Sequence, residues 1–198
     1  YVCFLFSLSV HEAAHAVISD RCGDPSARLL GRATLNPLAH IDPIGTVLMP
    51  LLMMITGIPF LFGWAKPVPF NPRNLHDIRK GPVFIAIAGP MSNLLLAFLF
   101  VFISRILITV TGHVEVSFIL GYFLYNMIVI NLVLAVFNLI PVPPLDGHHV
   151  LYYFLPPSGQ QVLERIGPFG IIIAMFAARP VLGIAYDILI GPVLSFAG

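Results

Sequence analysis

Apolar residues in this chain run in long blocks, and the polar residues gather in short stretches between them. Tyr1 to Ser19 is nearly all apolar and has about the 20 residues that cross a bilayer as a helix; Asp20, Arg21 and Gly23-Asp24-Pro25 stop it. Val83 to Val110 and Val116 to Ile140 predict two further spans, joined by the short polar turn Thr111 to Glu115. Phe169 to Phe196 is a last hydrophobic region, kinked near Arg179-Pro180, and Val150 to Leu155 is a short apolar or interfacial helix closed by Pro156-Pro157. Ile44 to Trp64 is apolar but broken by Gly45, Pro50, Gly57 and Pro59, so two readings stand: an unbroken membrane helix, or a re-entrant pair of half-helices.

The intervening polar stretches carry different signals. Ser26 to Asp42 is the most polar and least helical part, and Ala27 to Leu35 within it reads as a short hairpin or extended segment. Ala65 to Gly81, with Lys66-Pro67-Val68-Pro69 and Asn71-Pro72, is a proline-stiffened extended loop. The pattern predicts an all-α polytopic membrane protein of about five to six hydrophobic segments, with a re-entrant segment as one option and one short extended or β stretch. Residues 1–198 read as a single membrane-embedded core without internal repeats.

Composition agrees. Of 198 residues, 58% are hydrophobic and 10% charged, against about 25% charged in soluble domains, and the mean hydropathy is +0.95. The net charge of +1 and the lack of a basic block argue against a nucleic-acid partner. There is no phosphate-binding glycine loop and no dinucleotide fingerprint. Cys3 and Cys22 fall at opposite ends of one predicted helix, too far apart for a disulfide. The chain enters its first apolar run at Tyr1 with no initiator methionine, so it reads as a fragment lacking a short leader. His11, Glu12 and His15 inside the run argue against a signal peptide.

Those three residues carry the chemistry. In Ser9-Val10-His11-Glu12-Ala13-Ala14-His15-Ala16 the histidines lie four apart, so one helix face presents both imidazoles to one metal, with Glu12 one position round. Two histidines and a carboxylate are costly to desolvate in an apolar segment unless something pairs them. A catalytic zinc takes a third protein ligand. The candidates are Asp146, His40, His76, His113, His148, His149 and the downstream carboxylates. Asp146 stands out, because it follows the helix-breaking Pro141-Val142-Pro143-Pro144 and precedes Gly147; non-helical backbone at membrane depth lines a cavity or is buried in protein. Asn131 and Asn138 lie seven apart on one helix face, which must therefore look at protein.

His11-Glu12-Ala13-Ala14-His15, then Ala88-Gly89-Pro90-Met91-Ser92-Asn93, then Phe137-Asn138-Leu139-Ile140-Pro141-Val142-Pro143-Pro144-Leu145-Asp146-Gly147 resembles the site-two protease family of intramembrane zinc metalloproteases. Leu35 to Thr46 and Gly63 to Pro69 resemble its compact bacterial-type branch, which lacks PDZ and CBS domains. The resemblance implies Zn2+ held by His11, His15 and Asp146, with Glu12 as general base. It also implies Asn138 contacting substrate backbone or the oxyanion, and Asn93 as a further substrate-binding candidate. His40, beside Asp42, is a turn histidine or a contact at the site. His148-His149 departs from the family pattern. The expected substrate is a membrane protein with a transmembrane helix, in a prokaryotic cell membrane. The alternatives are a non-enzymatic metal transporter and a metal-binding scaffold. Arg21, Arg28 and Arg32 precede Ile44 to Trp64, and Lys66, Arg73, Arg79 and Lys80 follow it. The positive-inside rule then puts both sides, and the zinc, toward the cytoplasm, and favours the re-entrant reading.

Overall fold

The structure, a computed structural model, describes residues 1–57, 63–111 and 118–192, and the regular elements among them are all helical. The first helix, α1, spans Val2–Arg21. Its Ser7, His11, His15 and Ser19 are all buried and succeed one another at four-residue steps, which makes a polar stripe facing protein rather than lipid. Ser26–Leu29 (α2) is a single helical turn, so the hairpin expected over Ala27 to Leu35 is not formed. Ala27 is buried as part of that turn, and the main chain closes on itself through Leu30 N to Ser26 O, Gly31 N to Arg28 O and Arg32 N to Ala27 O, while the Arg32 guanidinium donates to Ala39 O.

Pro43–Leu48 is a π-helical turn capped by Asp42, whose Oδ1 accepts from Ile44 N and Gly45 N at 3.0 and 2.7 Å. It continues into α3, Met49–Thr56, which ends at Gly57 in the left-handed conformation (φ 70°). At Trp64 the chain is back against the start of this turn. Trp64 N donates to Gly45 O at 3.3 Å, and Thr46 Oγ1 donates to Trp64 O at 2.8 Å. From there an extended, proline-rich run reaches the turn Pro72–Asn74.

A buried carboxylate ties that run to the end of α1. Asp24 accepts from Asn71 N at 2.6 Å, Asn74 Nδ2 at 2.8 Å and Ser26 Oγ at 2.6 Å. Burial alone would raise its pKa, but the hydrogen bonds from Ser26, Asn74 and Asn71 outweigh that and hold it below the usual value. We expect Asp24→Ala to cost about 2–3 kcal/mol, the scale of hydrogen bonds to a charged acceptor. Because the folded pKa is depressed, this stabilisation is complete above the unfolded value near pH 4 and is lost as the pH falls through the folded one. Thermal melts of both proteins between pH 7 and pH 3 should therefore converge at the acid end. A constant gap would refute the assignment.

The body of the molecule is built by α4 (Gly81–Thr111) and α5 (Phe118–Asn138), which pack together and against α1. Ala97, Val101, Ile128 and Leu132 form their buried seam. Helices α1, α4 and α5 are long and apolar enough to cross a membrane, whereas Pro43–Thr56 is shorter. The polar turn expected at Thr111 to Glu115 falls on 112–115, outside the described residues. The chain continues with α6 (Gly147–Phe154), α7 (Pro157–Ile166) and α8 (Gly170–Ala185), which holds Pro180. Packing joins α6 to α4 and α8 to α5. The far end of the last predicted hydrophobic region, 193–196, is again outside the described residues.

Candidate active site

Helix α1 carries His11 and His15 one turn apart, with ring centroids 4.6 Å apart and Nε2 atoms 3.0 Å apart. Asp146, at the start of α6, brings its Oδ2 to 3.1 Å from His11 Nε2 and 3.4 Å from His15 Nε2. The opposite nitrogens are engaged elsewhere. His11 Nδ1 faces Asn93 Oδ1 at 2.6 Å, and His15 Nδ1 faces Ile85 O at 2.7 Å. Both partners are acceptors, so each imidazole donates from Nδ1 and keeps a lone pair at Nε2. Asp146 Oδ2 is itself buried and accepts no hydrogen bond. Three acceptor atoms thus converge with no donor between them, an arrangement that calls for a cation.

The residues fit zinc. His11, His15 and Asp146 are the one group of His, Cys, Asp and Glu among the described residues that can hold a metal. Two donors on a tetrahedral zinc lie about 3.3 Å apart, and the Nε2–Nε2 and Nε2–Oδ2 separations of 3.0, 3.1 and 3.4 Å bracket that value. Backbone shapes the cradle as well. Helix α4 passes the imidazoles at Gly89, where a Cβ would stand 2.4 Å from His15 Nε2 and 2.6 Å from His11 Nε2. Pro90 follows within the continuous α4 and has no N–H to give to the carbonyl of Ala86, next to the Ile85 carbonyl that faces His15.

A cavity of about 450 Å³ opens on this group, lined by Glu12, Trp64, Val68, Phe70 and Asn138 among others. Glu12 is half-buried in its wall, outside the ligand triad. Asn138 also lines it, donating from Nδ2 to Leu134 O at 2.9 Å, which leaves its Oδ1 and second amide hydrogen for another partner. His149 stands between this cavity and a second one of about 700 Å³, with its ring edge-on to Phe70 at 5.9 Å. Burial, and then the neighbouring His148, push His149 down to about 4, so it is a neutral wall at pH 7.

Other candidates lie elsewhere. His40 is buried and donates from Nε2 to Thr34 O at 2.8 Å, apart from the triad, so it is a turn histidine in this structure. Asn93 is fully buried and turned to His11. His148 faces Leu145 O through Nδ1 at 2.6 Å and lines the second cavity. His76 is an exposed loop residue, and His113 is outside the described residues. The reading of the sequence missed Ser7, which meets Asn131 beneath the site; its place four residues before His11 was the available signal.

Two histidines on the buried face of the membrane-length α1 and an aspartate at the start of α6, open to a cavity with a carboxylate in its wall, define a zinc site of the hydrolytic type among membrane-length helices. Comparison with known proteins agrees. The profile of Peptidase family M50 matches residues 106–177. The chain is 37% identical over 174 residues to "Putative zinc metalloprotease YwhC" of Bacillus subtilis, covering 87% of this chain and 76% of that protein. It is 30% identical over 174 residues to "Putative zinc metalloprotease Rip2" of Mycolicibacterium smegmatis, covering 87% of this chain and 63% of the relative. A shorter match, 42% over 107 residues, covers 54% of this chain and 50% of "Putative zinc metalloprotease MJ0611" of Methanocaldococcus jannaschii. No solved structure gives a significant match. The chain belongs to peptidase family M50, the site-two type of membrane zinc metalloproteases.

Proposed function

We propose that this protein is an intramembrane endopeptidase, hydrolysing peptide bonds in or next to the transmembrane helices of membrane-protein substrates, as regulated intramembrane proteolysis requires. The observation that carries the reading is Glu12, held in the cavity wall beside the His11–His15–Asp146 group without belonging to it. His11, His15 and Asp146 would hold the metal, and zinc there would supply Lewis acidity toward the scissile carbonyl and toward a water. The Glu12 carboxylate takes the proton of the attacking water and returns it to the leaving nitrogen. Asn138 offers its unused amide hydrogen to the substrate backbone or the developing oxyanion. The walls at Trp64, Val68 and Phe70 are apolar, which lowers the local dielectric and strengthens each of these interactions.

A metal-transport reading needs ligands relayed across the membrane, and the described residues offer one cluster. The two are separated by reconstituting the protein in vesicles with a tagged single-span substrate. Cleavage that stops on zinc chelation and returns with zinc supports the protease. Zinc flux without cleavage of any membrane substrate overturns it.

For orientation, the return of the chain from Gly45 to Trp64 supports a re-entrant segment, with the basic residues on both sides of it, and the zinc, toward the cytoplasm of a prokaryotic cell. Cysteines placed at Arg28 and Arg73, in a protein lacking Cys3 and Cys22, are expected to label from the same, cytoplasmic face. Labelling from opposite faces excludes a re-entrant segment.

A further inference from the structure

We infer that Asn93 and Asn131 form a directional relay that fixes the tautomer and aim of His11, making both of them positioning residues for the metal site. The inference rests on the zinc reading of the His11–His15–Asp146 group and extends it to residues that touch neither metal nor substrate.

Each step follows from which atoms are able to donate. Asn131 Nδ2 lies 2.7 Å from Met127 O and 2.8 Å from Ser7 Oγ. A main-chain carbonyl only accepts, so the NH2 end of Asn131 must face Met127, and its Oδ1 is turned toward α4. There it meets Asn93 Nδ2 at 2.8 Å. The other hydrogen of Asn93 goes to Ser7 O at 3.2 Å, a second acceptor-only atom. With both hydrogens committed, Asn93 has only Oδ1 left for His11 Nδ1, 2.6 Å away. His11 is thereby fixed as the Nδ1–H tautomer, with its lone pair at Nε2 among the converging ligand atoms. Rotating Asn93 by half a turn would set oxygen against oxygen at Ser7 O and Asn131 Oδ1, and rotating Asn131 would set oxygen against Met127 O and NH2 against NH2 at Asn93.

The burial makes this setting firm. Ser7, Asn93 and Asn131 are 0% exposed and His11 is 3% exposed, so water has no access to satisfy a reversed amide. The relay crosses α1, α4 and α5, the three helices of membrane length. His15 needs no such device, because its Nδ1 partner is itself a backbone carbonyl. If the asparagines served only to knit the helices together, their polarity would be immaterial to the metal. Here the polarity runs one way, from Met127 O to His11 Nε2.

The test measures metal binding on the full chain in detergent, by competition between zinc and a chelator and by the absorption bands of Co2+ substituted for zinc. Asn93→Leu is expected to weaken zinc binding by about 10–100-fold, the usual cost of losing a hydrogen-bond partner of a ligand. Asn131→Leu is expected to weaken it by about 3–10-fold although it lies one residue further away. The double variant should bind no more weakly than Asn93→Leu alone, since both changes cut one path. Both single variants should shift the Co2+ bands. Folded variants with unchanged zinc affinity and unchanged Co2+ bands overturn the relay and leave the zinc reading intact, whereas an unsubstituted protein that binds no zinc overturns that reading as well. One measurement needs no variant and keeps the inference testable if the substitutions prevent folding. With 15N-labelled histidine, the His11 Nδ1 proton of the zinc-loaded protein must be shifted far downfield and protected from exchange by its bond to Asn93 Oδ1, and an Nδ1 proton that exchanges freely with water overturns the inference.

Discussion

Glu12→Gln is expected to leave zinc in place and to slow proteolysis by about 10²–10⁴-fold, the contribution of a positioned acid–base group. The side chain keeps its size, so the cavity keeps its shape, and nothing is removed from the donor set of His11, His15 and Asp146. Their supports, Asn93 Oδ1 and Ile85 O, are untouched too. What disappears is the basic oxygen, since an amide is unable to accept a proton from water near neutral pH. Metal content by mass spectrometry and the cleavage rate of a reconstituted substrate are to be read on the same preparation. A variant without zinc would make Glu12 a ligand or a structural residue, and an active, zinc-loaded variant would remove it from the mechanism.

Gly89→Ala is expected to abolish zinc binding, and activity with it, by adding a single methyl group. Its Cβ would fall 2.4 Å from His15 Nε2 and 2.5 and 2.6 Å from His11 Cε1 and Nε2, well inside van der Waals contact. The imidazoles have no room to retreat, because each is tethered through Nδ1 to α4 itself. Moving α4 away instead would open its buried seam with α5 at Ala97, Val101, Ile128 and Leu132. The strain therefore falls on the ligand geometry. Zinc titration followed by calorimetry checks this, with Gly167→Ala as a control whose Cβ meets nothing within 4 Å. Normal zinc affinity in Gly89→Ala would show that the helices separate more easily than this packing implies.

The parts of this architecture governed by local chemistry were legible in the sequence. His11 and His15 needed only the helical period, and Asp146 followed from a proline-rich break before a glycine at the end of an apolar span. The limits of α1, α4 and α5 followed from apolar run length within a few residues. The hairpin expected at Ala27 to Leu35 does not form because a short polar stretch does not show whether its main chain will pair with a strand or close on itself, as Arg32 N does on Ala27 O. Asn93 was read as facing substrate, and only the three-dimensional arrangement turns it to His11. The Asp24 clasp was equally hidden, because its partners Asn71 and Asn74 lie in a separate loop and carry no periodic signal. Long-range hydrogen bonds between residues of ordinary type leave no local trace in a single sequence.

The meeting of Trp64 with Gly45 and Thr46 also bears on how such a chain tolerates change in length. Gly45 lies flat against the indole, where a Cβ would come within 2.4 Å of the ring, and two hydrogen bonds close the junction. The described residues 47–57 therefore leave from, and the chain at Trp64 returns to, two roots that are pinned together. The entropy of closing a loop between such roots rises by only about 0.6 kcal/mol for each doubling of its length. Residues added to or removed from that loop leave Trp64 and the cavity wall beyond it where they are. The junction is thus a natural point for variants of this chain to tolerate insertion or deletion while the chemistry beside it stays fixed.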